Sequence, residues 1–323
     1  MYNKTILVTG GAGYIGSHVN QMLNQTGYKT IVLDNLTRGN GQAVTAGTFI
    51  EGSLSDEKLL SHIFTSSKID AVMHFAAFID VGESIVNPGK YYENNVSETL
   101  ALLEAMQKHL VKYFIFSSTA AIFGLPQEKT ISENHPKCPI NPYGKSKLMV
   151  ETILSDFDLA YQMRSCSLRY FNAAGGDPEG LIKSYEKKES NLIPLILKSL
   201  KNSSQVITIY GTDYETKDGT CIRDYIHVHD LASAHILSME KLFECEKSMQ
   251  YNLGNGNGFS VRDVILAAEQ VTGLKVNVRE GKRRAGDPPI LVANAKKAQK
   301  ELGWHPKYQK LEQMIAHAWK AIC

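Results

Sequence analysis

Residues 5–16, Thr5-Ile6-Leu7-Val8-Thr9-Gly10-Gly11-Ala12-Gly13-Tyr14-Ile15-Gly16, decide the reading of this chain. An apolar run over 5–8 predicts a buried strand. It runs into a glycine-rich turn and then into a helical pattern over Tyr14–Gln25. Gly10, Gly13 and Gly16 are spaced so that a pyrophosphate could approach the backbone, with free N–H groups at a positive helix end to receive it. A second strand over 30–33 ends at Asp34, which is followed by Asn35. A carboxylate there can accept hydrogen bonds from ribose hydroxyls and would repel an extra phosphate, which favours NAD over NADP. The plainer reading of the same stretch is a tight turn that needs small residues and binds nothing. Strand, helix and acidic residue together favour a dinucleotide site, and Arg38 nearby is the one feature that speaks for NADP.

Outward from this stretch, strands over 71–75, 113–117 and 167–170 alternate with helical patterns over 93–109 and 143–161. That β-α-β alternation predicts an α/β fold, a Rossmann-type doubly wound parallel sheet covered by helices on both faces. After Asn172 the composition shifts to Gly175, Gly176, Asp177, Pro178, Gly180 and a charged run over 186–189. The stretch 173–189 reads as a long exposed connection. It divides a domain over 1–172 from a smaller C-terminal α/β substrate-binding lobe over 173–323, partly interleaved with the first. Strands Ile207–Tyr210, 224–227, 250–253 and 276–279, with helices over 230–243, Val261–Thr272 and Lys296–Leu302, complete the later part.

Composition narrows the function classes. With 35 basic and 33 acidic residues among 323 the net charge is +2, and no long basic block marks a nucleic-acid binder. No stretch approaches the ~20 apolar residues of a membrane span. The five cysteines are scattered without CxxC spacing, which points to a reducing, cytoplasmic setting and to no structural metal. His227-Val228-His229-Asp230 has an alternation that could hold a metal on a strand, yet no third ligand group accompanies it. His74 reads as a packed strand-end residue.

Tyr143-Gly144-Lys145-Ser146-Lys147 opens a helix, and positions four apart share a face, so Lys147 stands beside Tyr143. A phenol near pKa ~10 is a poor base at neutral pH. A nearby ammonium, with a positive nicotinamide ring, is expected to draw it down. The plainer reading is a solvated helix face. The FSST string before it adds weight, because Thr119 then lies at the carboxyl edge of a parallel strand, where such sheets place ligands.

These segments together carry a resemblance. TGGAGYIGSH, Asp34-Asn35-Leu36, His74-Phe75-Ala76-Ala77, Val81-Gly82-Glu83-Ser84, Tyr91-Tyr92-Glu93-Asn94-Asn95, FIFSSTAAIFG, Asn141-Pro142-Tyr143-Gly144-Lys145-Ser146-Lys147, LRYFN and RDYIHVHDLA make the chain, from about residue 4 to 320, similar to the extended short-chain dehydrogenases/reductases. Among them it most resembles the UDP-galactose 4-epimerases. The resemblance implies NAD retained through the cycle, with Tyr143 taking the proton of the sugar 4-hydroxyl. Hydride passes from C4 to the nicotinamide, the 4-keto sugar turns over, and hydride returns to its other face. Thr119 would orient the hydroxyl, and Lys147 would hold the cofactor ribose. Gly10, Gly13, Tyr14, Ile15, Gly16, Asp34, Asn35, Phe75, Ala76, Asn94 and Tyr170 would complete the NAD site. On the UDP-sugar side it implies Arg223 and Arg284 for the pyrophosphate and Asp287 for a ribose. Asn172, Asn191 and Leu192 would lie around sugar and nucleotide, with Thr208 and Tyr210 beside the uracil.

Some positions depart from the family pattern. Gly52-Ser53-Leu54 lacks the acidic residue often found there, which weakens the expected contact to the adenine amino group. Ile79 replaces a frequent lysine, and Asp80, beside it, is expected to point away from a phosphate. Leu291 falls where residue size gates N-acetylated sugars, leaving UDP-GlcNAc open as a substrate. The apolar excess of the helices over 93–109 and 143–161 suits a four-helix homodimer contact, or else simple core packing. Three rival readings stand beside the UDP-glucose/UDP-galactose epimerase. One is a nucleotide-sugar 4,6-dehydratase, disfavoured because Ala120 and Ala121 follow Thr119 where an Asp-Glu pair would be needed. Another is an epimerase of UDP-GlcNAc/GalNAc or UDP-glucuronate. The last is a non-catalytic NAD-binding regulatory protein.

Overall fold

The computed structural model describes residues 4–183, 191–202, 205–284 and 286–322; the charged run over 186–189 and Cys323 lie outside them. In chain order the elements are β1 (Thr5–Thr9), α1 (Tyr14–Gln25), β2 (Lys29–Asp34), β3 (Thr48–Glu51), α2 (Glu57–Ser66), β4 (Ala71–His74), α3 (Val81–Val86), α4 (Pro88–Tyr92), α5 (Glu98–Lys108), β5 (Tyr113–Thr119), α6 (Pro142–Tyr161), β6 (Arg164–Tyr170) and β7 (Asn172–Ala174). They continue as α7 (Leu192–Lys201), β8 (Ile207–Tyr210), β9 (Ile222–His227), α8 (Val228–Cys245), β10 (Met249–Leu253), β11 (Gly258–Ser260), α9 (Val261–Thr272), β12 (Val278–Gly281), β13 (Ile290–Leu291), α10 (Lys296–Leu302) and α11 (Leu311–Ile322).

Seven parallel strands lie in the order β10-β6-β5-β4-β1-β2-β3. Successive side chains of a strand point to opposite faces, and β1 shows the consequence. Ile6 and Val8 enter the core under α1 and α8, whereas Leu7 enters the core under α2, α5 and α6. A strand buried on both faces must be apolar throughout, which is why these runs are continuous rather than alternating. The chain reverses winding direction between β1 and β4, and a crevice opens there outside the strands' carboxyl ends.

The second lobe is built on β9, β11, β13 and β7, with a β8–β12 pair beside it and α7, α9 and α11 packed over a separate apolar core. The strand expected over 250–253 does not belong to this lobe. As β10 it pairs with β6 in the large sheet, and α8 packs against α1. A cut at residue 172 therefore separates the two lobes only in part.

The beginning of the stretch after Asn172 is not the exposed connection expected from its glycines. Asn172–Ala174 is a strand paired with β9, and Ala174 through Asp177 are buried. The Asp177 carboxylate accepts the backbone N–H groups of Leu181 (2.7 Å) and Ile182 (3.3 Å), which folds the segment on itself. The single helix expected over 93–109 is instead a π-helical turn over Glu93–Ser97 followed by α5, with α4 running into it from before. The strand expected over 276–279 lies two residues later, as Val278–Gly281.

Candidate active site

The crevice at the winding reversal is a cavity of about 420 Å³ lined by Gly10, Gly13, Tyr14, Ile15 and Gly16 on one side and by Phe75, Thr119, Tyr143, Tyr170, Asn172 and Asn191 on others. A smaller pocket continues from Gly10 and Gly13 past Asp34, Asn35, Ala76 and Asn94. The residues fit a dinucleotide on three structural counts. Gly10 has φ +72°, and a Cβ there would strike the backbone of Phe75 and Ala76. A Cβ on Gly16 would strike the Gly10 carbonyl, so both positions are held open by the absence of a side chain. The first turn of α1 has no side-chain cap, which leaves its N–H groups facing the crevice. Asp34 accepts the Ala12 N–H through one oxygen and the Leu36 N–H through the other, both at 2.9 Å, so each oxygen retains a lone pair. Burial pushes the Asp34 carboxyl up, against those two hydrogen bonds.

Tyr143 is placed by an N-terminal device of α6. Asn141 accepts the Gly144 N–H at 2.8 Å, and Pro142 fixes the first turn. The Tyr143 phenol lies beside the Thr119 side chain, both on the cavity wall. Thr119, at the end of β5, also accepts the Ala121 N–H at 3.2 Å. Lys147 lies one turn further along α6 but is buried and off the cavity wall. Its ammonium donates to the Ser117 carbonyl at 2.8 Å and lies 4.8 Å from the centre of the Phe116 ring. The expected acidification of Tyr143 is not produced by the chain's own groups. Burial pushes the phenol up, with the neighbouring Thr119 side chain working against it. The same burial brings Lys147 down to about 7, which weakens the charge meant to assist.

The residues expected around the nucleotide divide. Leu291 lines the cavity, and its strand is in register with Arg223. Arg223 itself is off the cavity wall: it donates to the carbonyls of Ile222 (2.9 Å) and Pro288 (2.8 Å) and to Asp287 (3.0 Å). Arg284 lies 3.9 Å from the centre of the Tyr210 ring. Thr208 accepts the Arg279 Nε–H at 2.8 Å. Thr208, Tyr210, Arg223, Arg284 and Asp287 therefore form a group beside the cavity rather than on its wall. Leu192 packs into the second-lobe core, leaving its neighbours Asn191 and Ile193 on the wall. Asp80 caps α3 by accepting the Glu83 N–H at 3.0 Å. His227 accepts the His229 N–H and meets His317 at 3.0 Å, while His74 lies between Thr9 and Thr99.

Other residues that build the site were not found from sequence. Asn95, in the π-helical turn, bonds both backbone groups of Phe78 and donates to Ser146 Oγ at 3.1 Å, which ties the cavity lip to α6. A π-turn displaces a residue from the helical period, so no periodicity argument points to it. Ser117 pairs with the Tyr170 hydroxyl beside Tyr143. Glu151, four residues after Lys147, receives Ser118 Oγ (2.7 Å) and a bidentate pair of bonds from the fully buried Arg169 (2.8 and 2.7 Å). An acidic residue one turn after Lys147 on the same helix face was the available signal.

A dinucleotide-shaped crevice with a threonine–tyrosine pair at a strand end and a lysine one helical turn on defines a short-chain dehydrogenase/reductase of the extended type. A family model described as GDP-mannose 4,6 dehydratase matches residues 7–318. The chain is 50% identical over 314 residues to a UDP-glucose 4-epimerase of Halalkalibacterium halodurans, covering 97% of this chain and 94% of that one. Its fold matches the crystal structure of UDP-glucose 4-epimerase from Brucella ovis in complex with NAD, with a TM-score of 0.96, 44% identity and coverage of 98% and 97%. It also matches that of UDP-glucose 4-epimerase from Bifidobacterium longum in complex with NAD+ and UDP, with a TM-score of 0.93, 38% identity and coverage of 98% of each chain. The chain belongs to the UDP-glucose 4-epimerase family.

Proposed function

We propose that this chain catalyses reversible C4 epimerisation of UDP-glucose and UDP-galactose with NAD bound in the crevice, and that Tyr143 moves the proton of the sugar 4-hydroxyl. The observation that carries the reading is the placing of Tyr143 and Thr119 together on the wall of a dinucleotide-shaped cavity. Bound NAD supplies the acceptor and donor of hydride. Thr119 Oγ1 stands beside the phenol and orients the hydroxyl that Tyr143 deprotonates. Lys147, brought to about 7 by burial, is poised to gain or lose its charge as a bound ligand changes the field around it. Arg223 and Arg284 are proposed for the pyrophosphate. Three of the five Arg223 N–H donors are engaged within the chain, so the guanidinium is pre-oriented with two remaining. Asp287, Thr208 and Tyr210 are proposed for the nucleoside, and Asn172 and Asn191 for the sugar.

Ala120 and Ala121 carry no group able to act at C5 and C6, which disfavours a 4,6-dehydration. No helix among the described residues is long and apolar enough to cross a membrane, and we place the enzyme in the cytoplasm. Met149, Leu159 and Tyr161 are exposed on α6, which supports a homodimer formed through α5 and α6. The test is incubation of the purified chain with UDP-galactose without added NAD. UDP-glucose should form, and Tyr143→Phe should lower turnover about 10²–10⁴-fold while NAD is retained. Full turnover by the Phe variant would remove Tyr143 from the mechanism.

A further inference from the structure

Beyond Asp34 the smaller pocket ends between two segments, Gly52–Leu54 on one side and the start of α5 on the other, with Leu33 and Leu54 as apolar walls. These parts are connected. The Gly52 N–H donates to the Asp34 carbonyl at 3.0 Å, and Ser53 Oγ donates to Glu98 Oε2 at 3.4 Å. Glu98 thus closes the pocket at the end that a purine reaches when its ribose is held by Asp34. Its carboxyl is half-buried, and burial pushes its pKa up, with Glu93 adding to the effect.

The obvious structural role does not account for Glu98. An acidic residue in a first helical turn ordinarily complements unbonded N–H groups. Here Ser97, the residue before α5, already has helical angles (φ −63°, ψ −47°), because α4, the π-turn and α5 run on continuously. There is no open helix end at Glu98. The 3.4 Å bond from Ser53 is long and uses one of about four acceptor positions on the carboxylate. A half-buried carboxylate at the end of a pocket, with most of its acceptor positions unused by the chain, is placed to receive a ligand's donor.

We propose that Glu98 is the acceptor for the exocyclic amine of the cofactor's purine, and so sets the base specificity of the dinucleotide site. The proposal rests on the crevice being the dinucleotide site. Adenine presents an N–H donor at its 6-position. Hypoxanthine presents a carbonyl oxygen there, which would face the carboxylate with no hydrogen between them. Ser53, between the wall residues Gly52 and Leu54, reaches Glu98, so an acidic residue at 53 would place its carboxylate in the same region.

The experiment measures dissociation constants for NAD and for nicotinamide hypoxanthine dinucleotide by fluorescence titration of the full chain from which bound dinucleotide has been removed and whose turnover returns on adding NAD. The unmodified chain should prefer NAD by about tenfold or more, as expected when a charged acceptor loses its donor. In Glu98→Gln, whose amide can donate to the hypoxanthine oxygen, the ratio should fall to within about threefold, mainly through weaker NAD binding. Adding Ser53→Asp to Glu98→Ala should restore the preference for NAD. An unmodified chain with equal affinities, or a ratio unchanged by Glu98→Gln, would overturn the assignment and leave Glu98 as a tie between the 53 loop and α5. Failure of both dinucleotides to bind the unmodified chain would overturn the reading of the crevice itself.

Discussion

Glu151→Gln is expected to destabilise the fold far more than its one-atom change suggests. Glu151 is buried on α6, and its carboxylate holds Arg169 on β6 and Ser118 on β5 at once. Arg169 has no exposed surface, its Nη1 has no hydrogen-bond partner among the described residues, and its only other polar contact there is Gln250 at 2.7 Å. Neutralising Glu151 leaves the guanidinium's charge without its buried partner. Breaking a buried pair in this way costs about 3–5 kcal/mol. Unfolding entropy of roughly 2.1 cal/mol/K per residue over 323 residues converts this to a melting-point drop of about 4–7 °C. The assay is thermal unfolding of the NAD-bound protein followed by circular dichroism, paired with turnover at a temperature where both proteins are folded. Turnover should also fall, because Glu151 ties the helix that carries Tyr143 and Lys147 to Ser118, the neighbour of Thr119 on β5. A companion variant, Glu151→Leu with Arg169→Met, removes both charges and should recover most of the lost stability. A Glu151→Gln melting point within a degree of the unmodified protein would refute the clamp, as would a double variant less stable than the single one.

Gly16→Ala should yield folded protein depleted of NAD. Its Cβ would meet the Gly10 carbonyl and the Gly11 backbone, neither of which can rotate away, at a packing cost of about 1–3 kcal/mol; dinucleotide released on acid denaturation is the measurement, and a normal content would refute it. Acid should destabilise the protein well above the carboxylate range. Burial holds His18 and His235 down to about 4, His74 to about 3 and His227 to about 2, against an ordinary value of 6.5. The unfolded chain therefore takes up protons below about pH 6.5 that the folded chain refuses, so these imidazoles are without effect above that value and destabilise the fold as pH drops toward 4. Asp224, raised to about 6 by burial, and Asp34, Glu98 and Asp230, raised in the same way, act in the opposite sense, while His229 and His317 are held down with the other four imidazoles. Urea midpoints at about pH 7.5 and pH 5 test this, and equal midpoints would show that these imidazoles are not held neutral.

The nucleotide half of this protein could be read from sequence because its constraints are local. A strand, three glycines and an acidic residue sit within thirty-odd positions, and steric exclusion at Gly10 and Gly16 leaves no alternative residue type. Tyr143 and Thr119 were visible for a similar reason, one opening a helix and the other ending a strand. What was hidden depends on distant pairings. That β10 joins the large sheet is decided by its edge against β6, 83 residues earlier in the register Met249 to Cys166. Asn95 escaped because the π-turn breaks the helical period, and Glu98 because its partner is Ser53 across a pocket. The helix over Leu311–Ile322 was missed despite a readable stripe at Leu311, Met314, Ile315 and Ala318. The direction of the Tyr143 shift could not be read either, since desolvation depends on what surrounds a group and not on its sequence neighbours.

The late return of α8 and β10 to the large sheet makes the two halves topologically inseparable. A fragment ending at residue 172 would present β6 as a bare edge, with the apolar side chains of Cys166 and Leu168 open to solvent where α8 and β10 belong. On the ribosome, β1 to β6 must therefore wait for some eighty further residues before their sheet is closed, and the nascent protein is most vulnerable to self-association during that interval.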